Sequence, residues 1–237
     1  MKKESMVFVI AEIGVNWNGD YILLKQMMTY AKNSGCNAVK LQAYNKEIIK
    51  NHPEFSRLIK CTVTPSNINK IDQLAKSVDI EWFCTPMFPE AVDFLDPFVN
   101  RYKVRQYDGK LLLENNTSSL VEKILNTGKE VMISCEHSPK DLDLYDHPNI
   151  KWLYCVSKYP CSLEELDFTY LDDFDGFSNH HPHFIAPLSA SILGAEIIEI
   201  HITSDKSKSF FDNNVSFDYS ELLQLVDLIR RSEKLKK

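Results

Sequence analysis

Basic charge and long apolar runs are both scarce in this 237-residue chain. Its 27 Lys and Arg residues are outnumbered by 33 Asp and Glu residues, which gives a formal net charge of −6. A negative charge argues against non-specific binding to nucleic acid or to an anionic membrane surface. No stretch approaches the roughly 20 apolar residues that a membrane-spanning helix needs. We therefore expect neither a nucleic-acid partner nor a membrane partner.

Cysteine is present but shows no pairing pattern. The six cysteines include no CxxC motif, and several lie in apolar, strand-like runs, where Cys behaves as a small hydrophobic residue. This pattern indicates a reduced, cytoplasmic protein. The apolar run near the start is interrupted by Glu12 and lacks a small-residue cleavage site, so we expect a first strand there and not a signal peptide.

Glycine is the third scarcity, with only seven in the chain. The turn AEIGVNWNGD follows the first strand-like run and does not match the GxGxxG loop of dinucleotide-binding sheets. This mismatch argues against the main competing fold, a doubly wound open sheet. The sequence also shows no internal repeat and no proline-rich linker.

Strand-like and helix-like segments alternate along the whole chain. Eight strand-like runs are separated by helices or helix-like connectors: MVFVIAEIG, AVKLQAY, EWFCTPM, YKVRQYD, KEVMISC, KWLYCVS, DGFSNH and IIEIHIT. The first helix is expected to be capped by Asp20 and ended by Gly35. Alternating units imply a parallel sheet, and eight of them in under about 250 residues favour a closed (β/α)8 barrel. We expect one α/β domain, a TIM barrel over residues 1–237.

Polar residues recur near the ends of these apolar strands. In IIEIHIT, for example, Glu199, His201 and Thr203 share the face opposite three isoleucines. Buried ionisable groups are costly unless paired, and active sites of barrels lie at the carboxyl ends of the strands. Lysines, a glutamate and histidines that converge there suit an anionic substrate and a metal ion. The inward-facing set is Glu12, Lys40, Gln42, Thr85, Lys103, Ser134, Ser157, Ser178, His180 and His201. Any single member could equally be a satisfied interior polar group.

The stretch DGFSNHHPHF offers two possible histidine pairs for a metal. His180 and His201 end successive strands, which lie about 4.8 Å apart in a sheet. We favour this pair, completed by carboxylate or water, for a divalent ion such as Mn²⁺ or Mg²⁺. His181 and His183 form the alternative pair, and two solvated loop histidines are the simpler interpretation of them.

Several segments, in order, resemble the sialic acid synthase family, which includes N-acetylneuraminate, legionaminate and pseudaminate synthases. They are AEIGVNWNGD, AVKLQAY, FCTPMFPEAVDFL, YCVSKYP, GFSNHH and IEIHIT. The resemblance implies a barrel that condenses phosphoenolpyruvate with an N-acetylated amino sugar, uses a divalent metal and releases phosphate. The product would be a nonulosonic acid. Enzymes of this kind commonly form homodimers and carry a C-terminal antifreeze-like domain. We expect this chain to be the barrel alone, with a homodimer or a separate antifreeze-like partner as possible assemblies.

The resemblance also assigns roles to residues. Glu12 would lie near the reacting centre, with Lys40 and Lys103 on phosphoenolpyruvate and His180 and His201 on the metal. Further phosphoenolpyruvate contacts would be Thr85, Ser134 and Ser178, and sugar contacts would be Gln42, Tyr159 and Asp212. Asp212 lies in FFDNN, where the family has the aspartate of GPDH.

The chain departs from the family pattern at several of these positions. Asp108 replaces a sugar-side glutamate, Ser157 a sugar-side asparagine and Gln106 a phosphate-contacting serine. Asn179 replaces the aspartate before the first metal histidine, and Trp17 replaces a histidine. We hypothesise that Arg105, expected on the Lys103 face, supplies positive charge to the substrate.

Two other classes of function compete with the synthase. One is a degenerate barrel that binds a sugar or a phosphorylated ligand, or serves as a partner subunit, without catalysis. The other is a metal hydrolase, which leaves Lys40 and Lys103 unexplained and ranks last.

Overall fold

The computed structural model describes residues 6–235 and forms a closed barrel of eight parallel strands, in the order β1 to β8 around the barrel. The predicted (β/α)8 fold is confirmed. The strands are β1 Phe8–Glu12, β2 Ala38–Ala43, β3 Glu81–Pro86, β4 Arg101–Val104, β5 Glu130–Cys135, β6 Ile150–Tyr154, β7 Gly176–Asn179 and β8 Ile197–His201. Barrel closure comes from β1 and β8, which pair from Phe8 with Ile197 to Glu12 with His201.

Nine α-helices surround the barrel in the described part of the chain. They are α1 Tyr21–Asn33, α2 Lys46–Ile49, α3 Phe55–Leu58, α4 Ile68–Val78, α5 Pro89–Leu95, α6 Gln106–Leu113, α7 Ser119–Leu125, α8 Ile185–Ile192 and α9 Tyr219–Glu233. The predicted cap of α1 is confirmed, because Asp20 accepts hydrogen bonds from the backbone N–H groups of Ile22 and Leu23 at 2.8 and 3.2 Å. No helix within residues 6–235 combines the length and apolarity that crossing a membrane requires.

Two predicted elements differ in the structure. The strand expected over YKVRQYD ends at Val104, and helix α6 begins two residues later at Gln106. This early helix packs closely on β5, since a Cβ atom at Gly109 would lie 2.0 Å from the carbonyl oxygen of Ser134. Arg105 therefore occupies the N-cap position of α6 just after the strand, and its side chain lines the same pocket as Lys103.

The helix expected over SLEELDFTYL is instead two short 3-10 helices, Leu163–Glu165 and Phe168–Asp173. Asp167 interrupts the segment because its side chain accepts a hydrogen bond from the backbone of Thr169 and caps the second helix. This compact connection carries the chain from β6 to β7 and leaves the carboxyl ends of both strands facing the same mouth.

Apolar side chains of the strands and helices form one continuous core between the two layers. All six cysteines are buried and none is in a disulfide, which agrees with the expected hydrophobic role of Cys. The outward-facing side chains of the strands thus pack against the helices, and the polar side chains of the strands lie in the barrel interior and at its mouth.

Candidate active site

A pocket of about 230 Å³ opens at the carboxyl end of the barrel. Every predicted site residue lines it except Asp108 and Asp212. The lining residues from the prediction are Glu12, Lys40, Gln42, Thr85, Lys103, Arg105, Ser134, Ser157, Tyr159, Ser178, His180 and His201. Five further residues line it: Met87, Gln106, Tyr107, Cys155 and Glu199, with Glu199 the most important of them because of its charge.

Glu199 lies at the centre of a buried ionic network. Its Oε1 atom is 3.5 Å from Lys103 Nζ, 3.8 Å from Lys40 Nζ and 2.9 Å from Ser178 Oγ, which donates to it. Burial favours the protonated carboxyl, but Lys103 and Lys40 outweigh it and lower the pKa of Glu199 to about 2. Glu199 was not among the predicted catalytic or binding residues. Its place on the polar face of IIEIHIT was the signal that could have identified it.

Each buried lysine has its own set of partners. Lys40 pairs with Glu12 Oε2 at 2.9 Å and donates to Thr85 Oγ1 at 3.0 Å, and Lys103 donates to Ser134 Oγ at 2.7 Å. Burial favours the neutral amine of Lys40, but Glu12 and Glu199 outweigh it and raise the lysine pKa. Lys40 and Glu199 are therefore held in their charged forms, and both lysines line the pocket.

The two predicted metal histidines lie close together, with ring centroids 5.5 Å apart. His180 Nδ1 is 2.6 Å from the carbonyl oxygen of Val156, so this nitrogen carries the proton and Nε2 keeps its lone pair. Burial, reinforced by the neighbouring His201, lowers the pKa of His180 to about 3, and the ring is neutral. The Tyr159 ring packs against His180 in a tilted arrangement, with centroids 3.9 Å apart and an interplanar angle of 38°.

His201 contacts Asp212 on one side and Tyr159 on the other. Its Nδ1 atom is 3.4 Å from Asp212 Oδ2, and its Nε2 atom is 3.2 Å from Tyr159 Oη. Burial opposes protonation of His201, but Asp212 outweighs it and raises the histidine pKa. Asp212 is thus placed beside the pocket through His201, although it does not line the pocket itself.

Asn16 holds the loop that carries Asp212, and the sequence interpretation missed it. The Asn16 amide donates to the Ile202 carbonyl at 2.9 Å and its oxygen accepts from the Asp212 N–H at 3.1 Å. Asn16 is fully buried, and Ser216 Oγ accepts a further bond from it at 3.1 Å. Because these bonds join residues almost 200 positions apart, no local sequence pattern reveals them.

Three of the departures from the family pattern, Asp108, Gln106 and Ser157, lie at or beside the pocket. Asp108 is buried in α6 and accepts from Arg105 Nε at 2.7 Å, so it neutralises Arg105 and does not line the pocket. Glu136 Oε2 accepts from both Gln106 and Ser157 at 3.4 Å.

Asn179 and Trp17 also have partners outside the pocket. Asn179 binds the backbone of His181, and the indole of Trp17 donates to the Cys61 carbonyl at 3.0 Å. Neither residue contacts the His180 ring. The alternative metal pair, His181 and His183, also lies outside the pocket lining, with ring centroids 5.6 Å apart.

The donor set fits a divalent ion held by two imidazoles and completed by substrate or water. The Val156 carbonyl fixes the His180 proton on Nδ1 and leaves its Nε2 lone pair available, and His201 Nε2 would offer a lone pair when that ring is neutral with its Nδ1 proton toward Asp212. Among residues 6–235 no group of three or more His, Cys, Asp or Glu side chains is arranged to hold a metal.

A charge count supports the same conclusion. The three cations at the pocket, Lys40, Lys103 and Arg105, are matched by Glu12, Glu199 and Asp108. An anionic substrate therefore meets little net positive charge from the protein, and a divalent ion would supply it.

Comparison with known proteins gives consistent matches over the chain. The model of the NeuB family matches residues 27–237. An uncharacterized protein of Methanocaldococcus jannaschii is 30% identical, covering 98% of this chain and 73% of that protein. The N,N'-diacetyllegionaminic acid synthase of Legionella pneumophila is also 30% identical, covering 95% of this chain and 72% of that protein.

A solved structure extends the match to three dimensions. The N-acetylneuraminic acid synthetase of Leptospira borgpetersenii, in complex with citrate, aligns with a TM-score of 0.87 and 26% identity. The alignment covers 98% of this chain and 86% of that one.

Proposed function

The chain belongs to the NeuB family, and from this premise we propose that it condenses phosphoenolpyruvate with an N-acetylated amino sugar. The products would be a nonulosonic acid and phosphate. The observation that carries the proposal is the pair of buried lysines, Lys40 and Lys103, at the mouth of the barrel. They line the same pocket as the imidazoles of His180 and His201. Relatives whose names state an activity include synthases of pseudaminic acid, of N,N'-diacetyllegionaminic acid and of N-acetylneuraminate 9-phosphate.

Binding of phosphoenolpyruvate follows from the lysine side of the pocket. Its carboxylate and phosphate groups would take hydrogen bonds from Lys40, Lys103 and the hydroxyl groups of Thr85, Ser134 and Ser178. These donors come from five strands, β2, β3, β4, β5 and β7, so the anion would be surrounded by rigid strand ends. The enol methylene carbon would then face the histidine side, where the sugar aldehyde binds.

The sugar would be bound by Glu12, Gln42 and Tyr159 of the pocket lining, with Asp212 beside them against His201. Gln42 Nε2 donates to Glu12 Oε1 at 2.9 Å, which fixes both side chains. The methylene carbon of phosphoenolpyruvate would attack the aldehyde carbon, and water would add to the cation left at the central carbon. Glu12 would accept the proton of that water. Cleavage of the carbon–oxygen bond of the adduct then releases phosphate.

We propose that His180 and His201 hold Mn²⁺ or Mg²⁺. When bound, this ion would polarise the aldehyde oxygen and offset the charge of the substrate. Tyr159 Oη, 3.2 Å from His201 Nε2, would then be free to bind the sugar.

One observation favours the non-catalytic alternative. Gln106 stands where the family resemblance places a phosphate-contacting serine, and its amide donates to the Glu136 carboxylate at 3.4 Å. The negative charge of Glu136 opposes an anion there. A barrel with this feature could bind a sugar without turning over phosphoenolpyruvate.

Phosphate release separates the two functions. Protein is incubated with phosphoenolpyruvate, Mn²⁺ and a panel of N-acetylated amino sugars, and a His180→Ala/His201→Ala double variant serves as the control. Release that needs both a sugar and the two histidines supports the synthase. No release with any sugar, from folded protein that binds Mn²⁺, supports the non-catalytic barrel.

A further inference from the structure

His181 follows His180 in the sequence but does not line the pocket. Its side chain is only 6% exposed, so it is not the solvated loop histidine that the sequence alone suggested. The Nδ1 atom of His181 is 2.8 Å from the carbonyl oxygen of Cys161. This nitrogen therefore carries the ring proton and donates it, and Nε2 keeps its lone pair.

The Nε2 atom of His181 is a buried acceptor that has no hydrogen-bond partner among residues 6–235. A buried polar atom without a partner costs free energy, so it calls for an explanation. Histidines that bind metals usually donate one ring N–H to a carbonyl or carboxylate oxygen, which fixes the tautomer and leaves the other nitrogen for the ion. The contact of His181 with the Cys161 carbonyl is of this kind. These two observations together indicate a ligand at Nε2.

His183 supplies a second imidazole to the same place. Its ring centroid is 5.6 Å from that of His181, and the two ring planes are inclined by 63°. A zinc ion lies about 2.1 Å from each ligand nitrogen and so about 3.2 Å from each ring centre, which puts two imidazoles on a tetrahedral ion with centres roughly 5–6 Å apart. The observed spacing falls in that range. Because His183 is exposed, an ion can reach the pair from solvent.

The backbone around His181 is held in place by several hydrogen bonds. The Asn179 side chain accepts from the His181 N–H at 3.2 Å and donates to the His181 carbonyl at 2.8 Å. The Cys161 N–H donates to the His180 carbonyl at 3.1 Å, while the Cys161 carbonyl holds the His181 ring. Pro182 restricts the backbone between the two histidines. A ligand held in this way loses little conformational freedom when an ion binds.

A carboxylate adds favourable charge near this pair. Glu164 belongs to the 3-10 helix Leu163–Glu165, which begins two residues after Cys161. Hydrogen bonds from its own backbone N–H and from the Ser162 side chain lower the pKa of Glu164, and the nearby His181 imidazole adds to this effect. The carboxylate is therefore ionised at neutral pH, and its negative charge favours a cation beside His181.

We propose that His181 and His183 form a second metal site, separate from the His180–His201 pair, for a transition metal such as Zn²⁺. Imidazole ligands suit zinc, copper and nickel, and the affinity of a nitrogen site rises from Mn²⁺ to Zn²⁺. The two imidazoles are the protein ligands of this site, and water completes the coordination. Since the pair lies outside the pocket lining, the inference does not depend on the proposed synthase activity.

Zinc binding to the His180→Ala/His201→Ala double variant tests the site without the first histidine pair. Isothermal titration calorimetry should show one Zn²⁺ bound per chain. Adding His183→Gln should weaken this binding by at least about tenfold, and because His183 is exposed the substitution leaves the core intact. His137→Gln is the matched control, since His137 is another exposed histidine, on the segment after β5, and it should leave the zinc affinity unchanged.

The wild-type protein gives a second measurement that does not require the double variant to fold. Wild-type protein should bind one more Zn²⁺ per chain than His183→Gln does, while the two proteins should bind Mn²⁺ equally in an electron paramagnetic resonance titration. Equal zinc stoichiometry in wild-type and His183→Gln proteins would overturn the proposal. A loss of less than about tenfold on adding His183→Gln to the double variant would overturn it as well.

Discussion

Glu199 is the residue whose loss should most clearly test the ionic network. Glu199→Gln preserves the size of the side chain and an acceptor for Ser178, but removes the negative charge shared by Lys40 and Lys103. At an effective dielectric constant of about 20, charges at these separations of 3.5 and 3.8 Å attract by roughly 4–5 kcal/mol each before desolvation is considered. Removing one partner of a buried pair typically costs about 3–5 kcal/mol.

We expect the free energy of unfolding to fall by about 3 kcal/mol, at the low end of that range, because Lys40 keeps Glu12 at 2.9 Å. Urea denaturation monitored by circular dichroism measures this loss. The affinity for an anion should change in the opposite direction, since the pocket gains one unit of positive charge. We expect the Kd of inorganic phosphate to fall by about tenfold, or about 1.4 kcal/mol, by calorimetry at low salt.

Glu81→Gln is the matched control. Glu81 pairs with Arg101 at 2.8 Å where β3 begins, at the opposite end of the barrel, and its side chain is 26% exposed. It should lose no more than about 1 kcal/mol and leave phosphate binding unchanged. A loss below about 1 kcal/mol in Glu199→Gln, or weaker phosphate binding, would refute the assignment of Glu199 as the shared counter-ion.

Three further predictions concern the lysines, the metal and the thiols. Lys103→Met should lower kcat/KM for phosphoenolpyruvate by about 100-fold or more, because a buried charged donor to the substrate is lost, and steady-state phosphate release checks this. Chelation by EDTA should abolish turnover, and turnover that persists in EDTA would argue against the metal. His180→Ala should weaken Mn²⁺ binding by at least about 100-fold in an electron paramagnetic resonance titration. Burial raises the pKa of the Cys36 thiol to about 12. The unfolded chain therefore loses this proton first, and the free energy of unfolding should fall by about 1.4 kcal/mol per pH unit for this thiol above pH of about 9. Cys36→Ala should make that decline shallower in urea melts, and an identical decline would contradict the assignment.

The fold and much of the pocket could be predicted from local patterns. Alternating strand-like and helix-like runs predicted the barrel, and the two-residue period of a strand predicted that Lys40, Gln42 and His201 face inward. The carboxyl ends of all eight parallel strands meet at one mouth of the barrel. The residues at those strand ends are therefore largely the residues that line the pocket. The same reasoning made the fourth strand too long, because β4 ends at Val104 and helix α6 begins at Gln106 and packs closely on β5 at Gly109.

The sequence by itself determined the barrel, its parallel order and the set of polar side chains at its mouth, because these depend on periodicity within each segment. Only the tertiary structure decided which of those charges neutralise one another. Pairing of Glu199 with both lysines and of His201 with Asp212 depends on distances set by barrel closure and by the loop that follows β8, and pairing of Arg105 with Asp108 depends on where helix α6 begins.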